Sequence, residues 1–263
     1  MFNVFATGKS GMTAYQEKMD YLSNDLVNST TTGYKGTDIG FKDLMTESLD
    51  RKGNPIVNKN AVNGTGVRIG TNYANNKQGN LLNTGLKTDL AIDGKGYFAL
   101  QDPDGTISYT RDGNFKIDSN GSLVTASGVK VYVQYEPGFS EGDPAFDSDN
   151  IAIDGQGGIS MNIDGNAALV GSIPVFTAIG DKGFVPKGNN MFVPSDDAQI
   201  TLSDDYDIRQ GFLEASNVDA AEVFSDVILT QRAFQLSSKA ITTADDIWRS
   251  EERRVGKECR SRW

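Results

Sequence analysis

The sequence predicts an α+β fold, with N- and C-terminal helices that pair as a coiled-coil-like unit and a β-rich middle domain of short antiparallel strands. Two observations predict it. Apolar residues recur at helical spacing at both ends of the 263-residue chain, and the part between them is cut into short apolar runs by Gly, Asn and Asp. We therefore expect an N-terminal helix in residues 1–34, an extended connector in 35–80, the middle domain in 81–210 and a C-terminal helix in 211–248.

The N-terminal helix is predicted from one stripe of apolar residues: Phe5, Met12, Tyr15, Met19, Leu22 and Leu26. Their spacing follows the period of about 3.5 residues that is typical of a coiled-coil seam. Gly8 and Gly11 have low helix propensity and are expected to weaken the first turns. The pattern stops at Asn28, and the Ser, Thr and Gly residues after it are typical of a helix end.

The C-terminal helix shows a similar stripe: Ala220, Val223, Val227, Thr230, Phe234, Ser237, Ile241, Ala244 and Trp248. Ser216 and Asp219 fit a capping box at its start. Thr and Ser at seam positions reduce the apolar surface of the stripe. The helix is therefore expected to be stable only when it packs against partners. Either stripe alone fits an ordinary amphipathic helix on a local core. Two matched stripes at opposite ends favour pairing.

The middle domain is predicted from short apolar runs separated by turn sequences. Asp102-Pro103-Asp104-Gly105 and Asp118-Ser119-Asn120-Gly121 are turn signatures of this kind. The expected strands lie in the runs 97–100, 106–110, 115–117, 129–135, 151–153, 159–163 and 173–179. Residues 36–80 are polar and rich in Gly and Asn, and predict the connector.

Composition argues against several classes of function. The formal net charge is −10, which disfavours nucleic acid and anionic membrane surfaces as partners. No apolar run is long enough for a transmembrane helix, and residues 1–20 lack the pattern of a Sec signal peptide. The chain has no His and a single Cys, Cys259, which argues against a disulfide framework and a Cys/His metal site.

Candidate ligand-binding patterns are better explained as turns. The pairs Asp102/Asp104, Asp118/Asn120 and Asp164/Asn166 lack the spacing of an EF-hand loop. Gly64-Thr65-Gly66 and Gly94-Lys95-Gly96 lack phosphate-loop spacing, and each is expected to end a strand. We therefore predict that the chain is not an enzyme and has no catalytic residue, no cofactor and no metal.

The last fifteen residues, 249–263, differ from the rest of the chain. They carry six Lys or Arg and three Glu, and they interrupt the apolar pattern before them. The segment resembles the in-frame translation of a sequencing adapter, so we interpret it as non-native and end the predicted helix at Trp248. A genuine basic tail is the alternative.

Motifs along the chain resemble bacterial flagellar rod and hook proteins. They lie in residues 10–16, 20–28 and 31–35 near the start, 78–81, 89–98 and 109–115 in the centre, and 211–219 and 231–234 near the end. The resemblance covers nearly all of residues 1–248, in order, and is greatest to the distal rod members. Asp25 and Ser29-Thr30 depart from it, because the family usually has Asn and a Val-Asn pair there.

The resemblance implies a structural subunit of the flagellar basal-body rod that polymerises into an axial tube and transmits motor torque to the hook. It implies self-association, rod and hook partners, and export by the flagellar type III apparatus without a cleaved signal peptide, so no membrane insertion is expected. The residues expected to form the assembly seams are Met12, Tyr15, Met19, Leu22, Leu26, Val223, Val227, Phe234 and Ile241.

Other functions remain open at this point. Within the same family, the chain resembles proximal rod, hook and other axial components as well. Outside the family, a carbohydrate- or surface-binding β protein or a hydrolase is the remote alternative, and it requires a concave site with converging aromatic or carboxylate groups.

Overall fold

The structure is a computed structural model that describes residues 2–44, 46–48, 62–142, 145–147, 150–163, 166–178, 183–195 and 198–260. The chain divides into two compact units. The helical unit comprises Met1–Val27, Thr37–Asn72 and Asp219–Trp263, and the middle unit comprises Asn28–Gly36 and Tyr73–Val218. The α+β class and the antiparallel strands of the middle are confirmed.

The helical unit contains both helices, α1 (Phe2–Val27) and α2 (Ala220–Arg260). They lie against each other in antiparallel directions, since Gly8 approaches Ile241 while Lys18 lies 3.6 Å from Asp226. Neither described helix is long and apolar enough to cross a membrane.

Two predictions about α2 are corrected. The helix continues to Arg260 instead of ending at Trp248, because the Glu, Arg and Lys residues that follow are good helix formers. Its N-cap is Asp219 and not Ser216: Asp219 Oδ1 accepts the Ala221 N–H at 2.8 Å. The Ser216 hydroxyl instead accepts the Val218 N–H at 3.2 Å, in the turn before the helix.

Strands fill much of the segment predicted as an extended connector. They are β1 (Thr37–Asp43), β2 (Thr46–Ser48), β3 (Val62–Gly64) and β4 (Val67–Ala74). β1 pairs with β4, and β2 pairs with β3 in antiparallel register. Part of the predicted connector, residues 45 and 49–61, lies outside the described residues. The sequence analysis missed these strands although apolar residues alternate in β1 (Ile39, Phe41) and in β4 (Val67, Ile69), because the Gly and polar residues around them favoured a connector.

The middle unit is built from seventeen further short strands in the described part of the chain. They are β5 (Leu81–Asn83), β6 (Leu90–Gly94), β7 (Tyr97–Gln101), β8 (Ile107–Thr110), β9 (Phe115–Ile117), β10 (Leu123–Thr125), β11 (Lys130–Val131), β12 (Gln134–Tyr135), β13 (Ile151–Ile153), β14 (Gly158–Ile163), β15 (Asn166–Ser172), β16 (Val175–Ala178), β17 (Phe184–Gly188), β18 (Met191–Pro194), β19 (Ile200–Leu202), β20 (Tyr206–Gln210) and β21 (Phe212–Glu214).

These strands form two larger sheets and two strand pairs. A nine-stranded sheet has the order β17-β18-β8-β7-β11-β10-β9, with β16 bound to both β7 and β19. A four-stranded sheet has the order β12-β15-β14-β13. The two strand pairs are β6 with β20 and β5 with β21. The predicted strand 129–135 is divided between the two sheets, since Val131 pairs with Leu100 and Tyr135 with Gly171.

Apolar side chains of these sheets form the main core, in which Phe98 packs edge-on against Phe115 with ring centroids 5.3 Å apart. A second cluster lies around Tyr97, Tyr109 and Phe192. The predicted turns are present at Asp102 and Asp118, whose carbonyl groups accept the N–H groups of the Gly residues three positions later. The pair Asp164/Asn166 lies partly outside the described residues, since Asp164 is not among them.

The tight packing around α1 predicts that enlarging one of its buried small residues destabilises the helical unit. Ala14 is 2 % exposed, so Ala14→Leu overfills its site and is expected to cost about 1–3 kcal/mol. Amide hydrogen exchange of α1 in the purified chain measures the loss. Ala6→Leu on the exposed side of α1 is the matched control, with an expected change within about 0.5 kcal/mol. Equal protection in both variants would contradict the packing described here.

Candidate functional site

The nine residues predicted as assembly seams all lie on the two helices. Leu22 and Val223 are buried. The others are half-buried: Met12, Tyr15, Met19, Leu26, Val227, Phe234 and Ile241. Of these, Ile241 approaches α1 at Gly8, where an added Cβ atom would lie 2.7 Å from Ile241 Cγ1. The contribution of the nine residues to contacts between copies stays a prediction.

Small residues of α1 allow the helices to approach closely, and the sequence analysis missed this role. A Cβ atom on Gly11 would lie 3.3 Å from Ser237 Oγ. The sequence analysis interprets Gly8 and Gly11 only as residues of low helix propensity. Their spacing of three residues is the available signal, because residues three apart share a helix face.

A second face of α2 is apolar and exposed to solvent. Its exposed large apolar residues, between 48 % and 68 % accessible, are Phe224, Ile228, Leu229, Leu236 and Ile247. These residues lie on the side of α2 opposite to the one that packs against α1. Exposed apolar patches are a feature of interaction surfaces.

Strand β1 adds an aromatic contact to the helical unit. The rings of Tyr15 and Phe41 meet edge-on with centroids 5.5 Å apart, and Lys18 Nζ lies 5.9 Å from the Phe41 ring centroid. Tyr15 therefore packs against β1, although the sequence assigned it to the helix seam. Phe41 stays partly exposed.

Asp25, which stands where the related proteins usually have Asn, has a structural role in the same unit. Its two carboxylate oxygens accept the Thr37 N–H at 3.3 and 3.2 Å. A carboxylate offers only acceptors, and here it caps the first N–H of β1. The substitution is thus accommodated at a buried position.

The middle unit contains a buried cluster of three charged residues centred on Glu214. Its Oε1 atom accepts hydrogen bonds from Lys35 Nζ at 2.6 Å and from the Gly79 N–H at 2.8 Å, and its Oε2 atom accepts one from Arg111 Nη1 at 3.1 Å. The three charged side chains are between 0 % and 4 % exposed. Such a cluster is stable only if each charge is matched by charge and hydrogen bonds.

Backbone carbonyl groups balance the excess of positive charge in the cluster. Lys35 Nζ also donates to the Lys77 carbonyl at 2.7 Å. Arg111 donates to the Ile92 carbonyl at 3.3 Å and to the Gly94 carbonyl at 2.7 Å. The Arg111 guanidinium lies 5.3 Å from the Tyr97 ring centroid, which adds a cation–π contact.

Burial and charge act in opposite directions on the titration of this cluster. Burial lowers the pKa of Lys35, while the charge of Glu214 and its hydrogen bond raise it. Burial raises the pKa of the Tyr97 hydroxyl, against the effect of Arg111. The net effect is a pKa of Lys35 below its ordinary value, with burial as the largest cause and Glu214 as the main opposing one.

Residues from all three groups of motifs meet around this cluster. Thr32 donates to Asp112 Oδ1 at 2.9 Å, and Gly33 (φ 66°) packs its backbone against Asp112. Asn217 accepts the Gly36 N–H at 2.9 Å and donates to the Asn75 carbonyl at 2.7 Å. The segments before α2 and after α1 are thus fixed within one unit.

The sequence analysis assigned no role to Lys35, Arg111 or Glu214. Each occurs within or beside a quoted motif, and that was the only signal available, because no local pattern links residues 103 and 179 positions apart. Both oxygens of Glu214 are already occupied by N–H donors. Among the described residues, no three His, Cys, Asp or Glu side chains come together as metal ligands.

Two known families match parts of the chain. Residues 91–168 match the flagellar hook protein FlgE/F/G D1 domain. Residues 209–252 match the flagellar basal body rod FlgEFG protein C-terminal family. The first match lies in the β-rich middle unit, and the second includes Glu214 and most of α2.

Similar proteins extend the match over most of the chain. The flagellar basal-body rod protein FlgG of Borreliella burgdorferi is 37 % identical over 261 residues, covering 94 % of this chain and 96 % of the relative. FlgG of Bacillus subtilis is 33 % identical, covering 94 % and 97 %. The rod protein FlgF of Mesorhizobium japonicum is 29 % identical and covers 86 % of both chains. The chain therefore belongs to the family of flagellar basal-body rod proteins.

Proposed function

We propose that the chain is a structural, non-enzymatic subunit of the distal flagellar rod, which polymerises into the axial tube that transmits motor torque to the hook. Its partners are copies of itself and other rod and hook proteins. Similarity to FlgG proteins from several bacteria, between 33 % and 37 % identical over nearly the full chain, supports the distal position. The similarity to a FlgF protein is lower, at 29 %.

The observation that carries this proposal is the outward apolar face of α2. The inward face of α2 already packs against α1 through Gly8 and Gly11. The five exposed apolar residues of the outward face therefore do not contribute to the packing of α1 and α2 within one copy. They suit a contact with neighbouring copies. A contact between different faces of successive copies propagates as a helical filament when its rotation does not close a ring.

Pairing of α1 and α2 as a coiled coil, with the nine seam residues at its interface, is part of the same proposal. The buried apolar residues of the helical unit are few, and two of them are Ala14 and Ala244. A helix pair with so little burial gains order from contact with other copies. Such a chain suits export by the flagellar type III apparatus without a cleaved signal peptide.

A charge on the outward face of α2 is expected to block assembly without unfolding the chain. Leu236 is largely exposed, so Leu236→Lys leaves the monomer stable to within about 0.5 kcal/mol. In the rod the same Lys would be buried without a partner, which costs several kcal/mol per subunit. Motility of a complemented deletion strain in soft agar should fall to the level of the deletion.

The matched control at this position is Leu236→Met, which keeps an apolar side chain of similar volume and should retain motility. Circular dichroism of both purified variants checks that the helices are intact. Full motility with Leu236→Lys would show that this face of α2 takes no part in the assembly contacts.

Gene deletion and labelling test the function itself. Deletion should abolish hook and filament, since both are built on the rod. Gold-labelled antibodies against residues 103–107, an exposed turn of the middle unit, should bind purified hook–basal bodies of the complemented strain below the hook. Label along the hook would instead support a hook component, and normal flagella in the deletion strain would exclude a rod role.

A further inference from the structure

We propose that Glu214 is a folding checkpoint of the middle unit: the unit closes around Lys35 and Arg111 only when the segment preceding α2 delivers this carboxylate. The inference concerns the middle unit alone, and it holds whether or not the helices assemble.

The first step of the argument is charge. Among the described residues, Glu214 is the only carboxylate within ion-pair distance of Lys35 or Arg111. Both cations are almost completely removed from water. A buried ion whose partner is missing strongly destabilises a fold, whereas a matched cluster does not. The closed state of the unit therefore requires Glu214.

The hydrogen bonds of Arg111 also support the requirement for Glu214. Arg111 Nε has no hydrogen-bond partner in the structure and is buried. The guanidinium thus depends on its Nη groups, and of their acceptors only Glu214 brings a negative charge. The neutral carbonyl groups of Ile92 and Gly94 reduce the cost of burial without cancelling the charge.

The second step is the order of the chain. Lys35 precedes Glu214 by 179 residues and Arg111 precedes it by 103. A chain that emerges with its N-terminus first exposes both cations, and nearly all strands of the middle unit, before the carboxylate arrives. Glu214 lies at the end of β21, the last strand of the unit, which pairs with β5.

The third step is that Glu214 closes several segments at once. Its carbonyl oxygen accepts the Gly33 N–H at 2.8 Å, and its side chain binds Lys35 and the Gly79 N–H. Glu214 therefore joins β21 to two other segments. One follows α1 and the other precedes β5. Until Glu214 arrives, the N–H groups of Gly33 and Gly79 lack these acceptors.

The test uses the purified full-length chain with Glu214→Gln, which keeps the shape and an acceptor oxygen but removes the charge. The control is Glu141→Gln, whose carboxylate lies 2.6 Å from Lys130 Nζ but is about half exposed. The extent of unfolding in urea is monitored through the amide hydrogen exchange of a peptide that spans β7 and β8. Glu214→Gln should raise the unfolding constant at pH 7 by a hundredfold or more, on the order expected for an orphaned buried ion. The control should change it by no more than about fivefold.

A pH dependence separates charge from packing. The groups that face Lys35 are Glu214 and Arg111, and Tyr97 lies against Arg111 with its own pKa raised. Without Glu214, the pKa of Lys35 is expected to fall further below its ordinary value of 10.5. At pH values between the lowered pKa of Lys35 in the folded variant and 10.5 in the unfolded chain, the unfolded chain binds more protons than the folded one. The free energy of unfolding of Glu214→Gln therefore rises with pH over this range. No such rise relative to wild type would overturn the role of the charge.

The timing is tested by refolding kinetics with pulsed hydrogen exchange. If closure of the unit requires Glu214, its contacts with Lys35 and Arg111 are already formed in the transition state, so Glu214→Gln slows folding more than it speeds unfolding. An unchanged folding rate with faster unfolding would mean that the unit closes before the carboxylate binds, and would overturn the proposal.

A second variant covers the case in which Glu214→Gln does not fold. Replacing the whole cluster by Lys35→Met, Arg111→Met and Glu214→Leu removes all three buried charges together. Apolar replacement of a complete buried cluster often preserves or improves stability, so this variant should fold. If it is as unstable as Glu214→Gln, packing and not charge controls closure, and the proposal fails.

Discussion

The buried carboxylate of Glu214 is the interaction on which the organisation of the middle unit depends. It holds the segment that follows α1, the segment before β5 and the end of β8 through Lys35, Gly79 and Arg111. The two pieces of chain that lead to the helices are therefore fixed by the same residue within one unit. Loss of Glu214 would leave both cations buried without a matching negative charge, so these contacts depend on the one carboxylate.

The two units differ in how completely they bury apolar residues. The middle unit has a core of Phe, Leu, Ile and Val side chains that are almost fully enclosed. In the helical unit, Leu22 and Val223 are the only large apolar residues among its described side chains that reach comparable burial. The middle unit thus buries an apolar core within a single copy, whereas the assembly proposed above would supply further burial for the helices.

The sequence predicts those features that are encoded locally. The turns at Asp102 and Asp118, and the strands beside them, follow from residues within a few positions of each other. The helices follow from apolar spacing, but that spacing does not separate residues that face the partner helix from those that face another copy. Strands β1 and β4 were missed although each has alternating apolar residues, because the Gly and polar residues around them favoured a connector. The Glu214 cluster was missed because its members are distant in sequence and no periodic pattern connects them.

Charge gives the last constraint on how copies of this chain meet. A chain with a net charge of −10 repels its own copies, so its contact surfaces must avoid accumulating carboxylates. Between Phe224 and Leu236, α2 carries only one acidic residue, Asp226, and one basic residue, Arg232. Asp226 lies 3.6 Å from Lys18 of α1, and Arg232 donates to Gln235. This stretch of the outward face is therefore close to neutral as well as apolar, and like-charged copies can approach along it without the repulsion that the rest of their surfaces would impose.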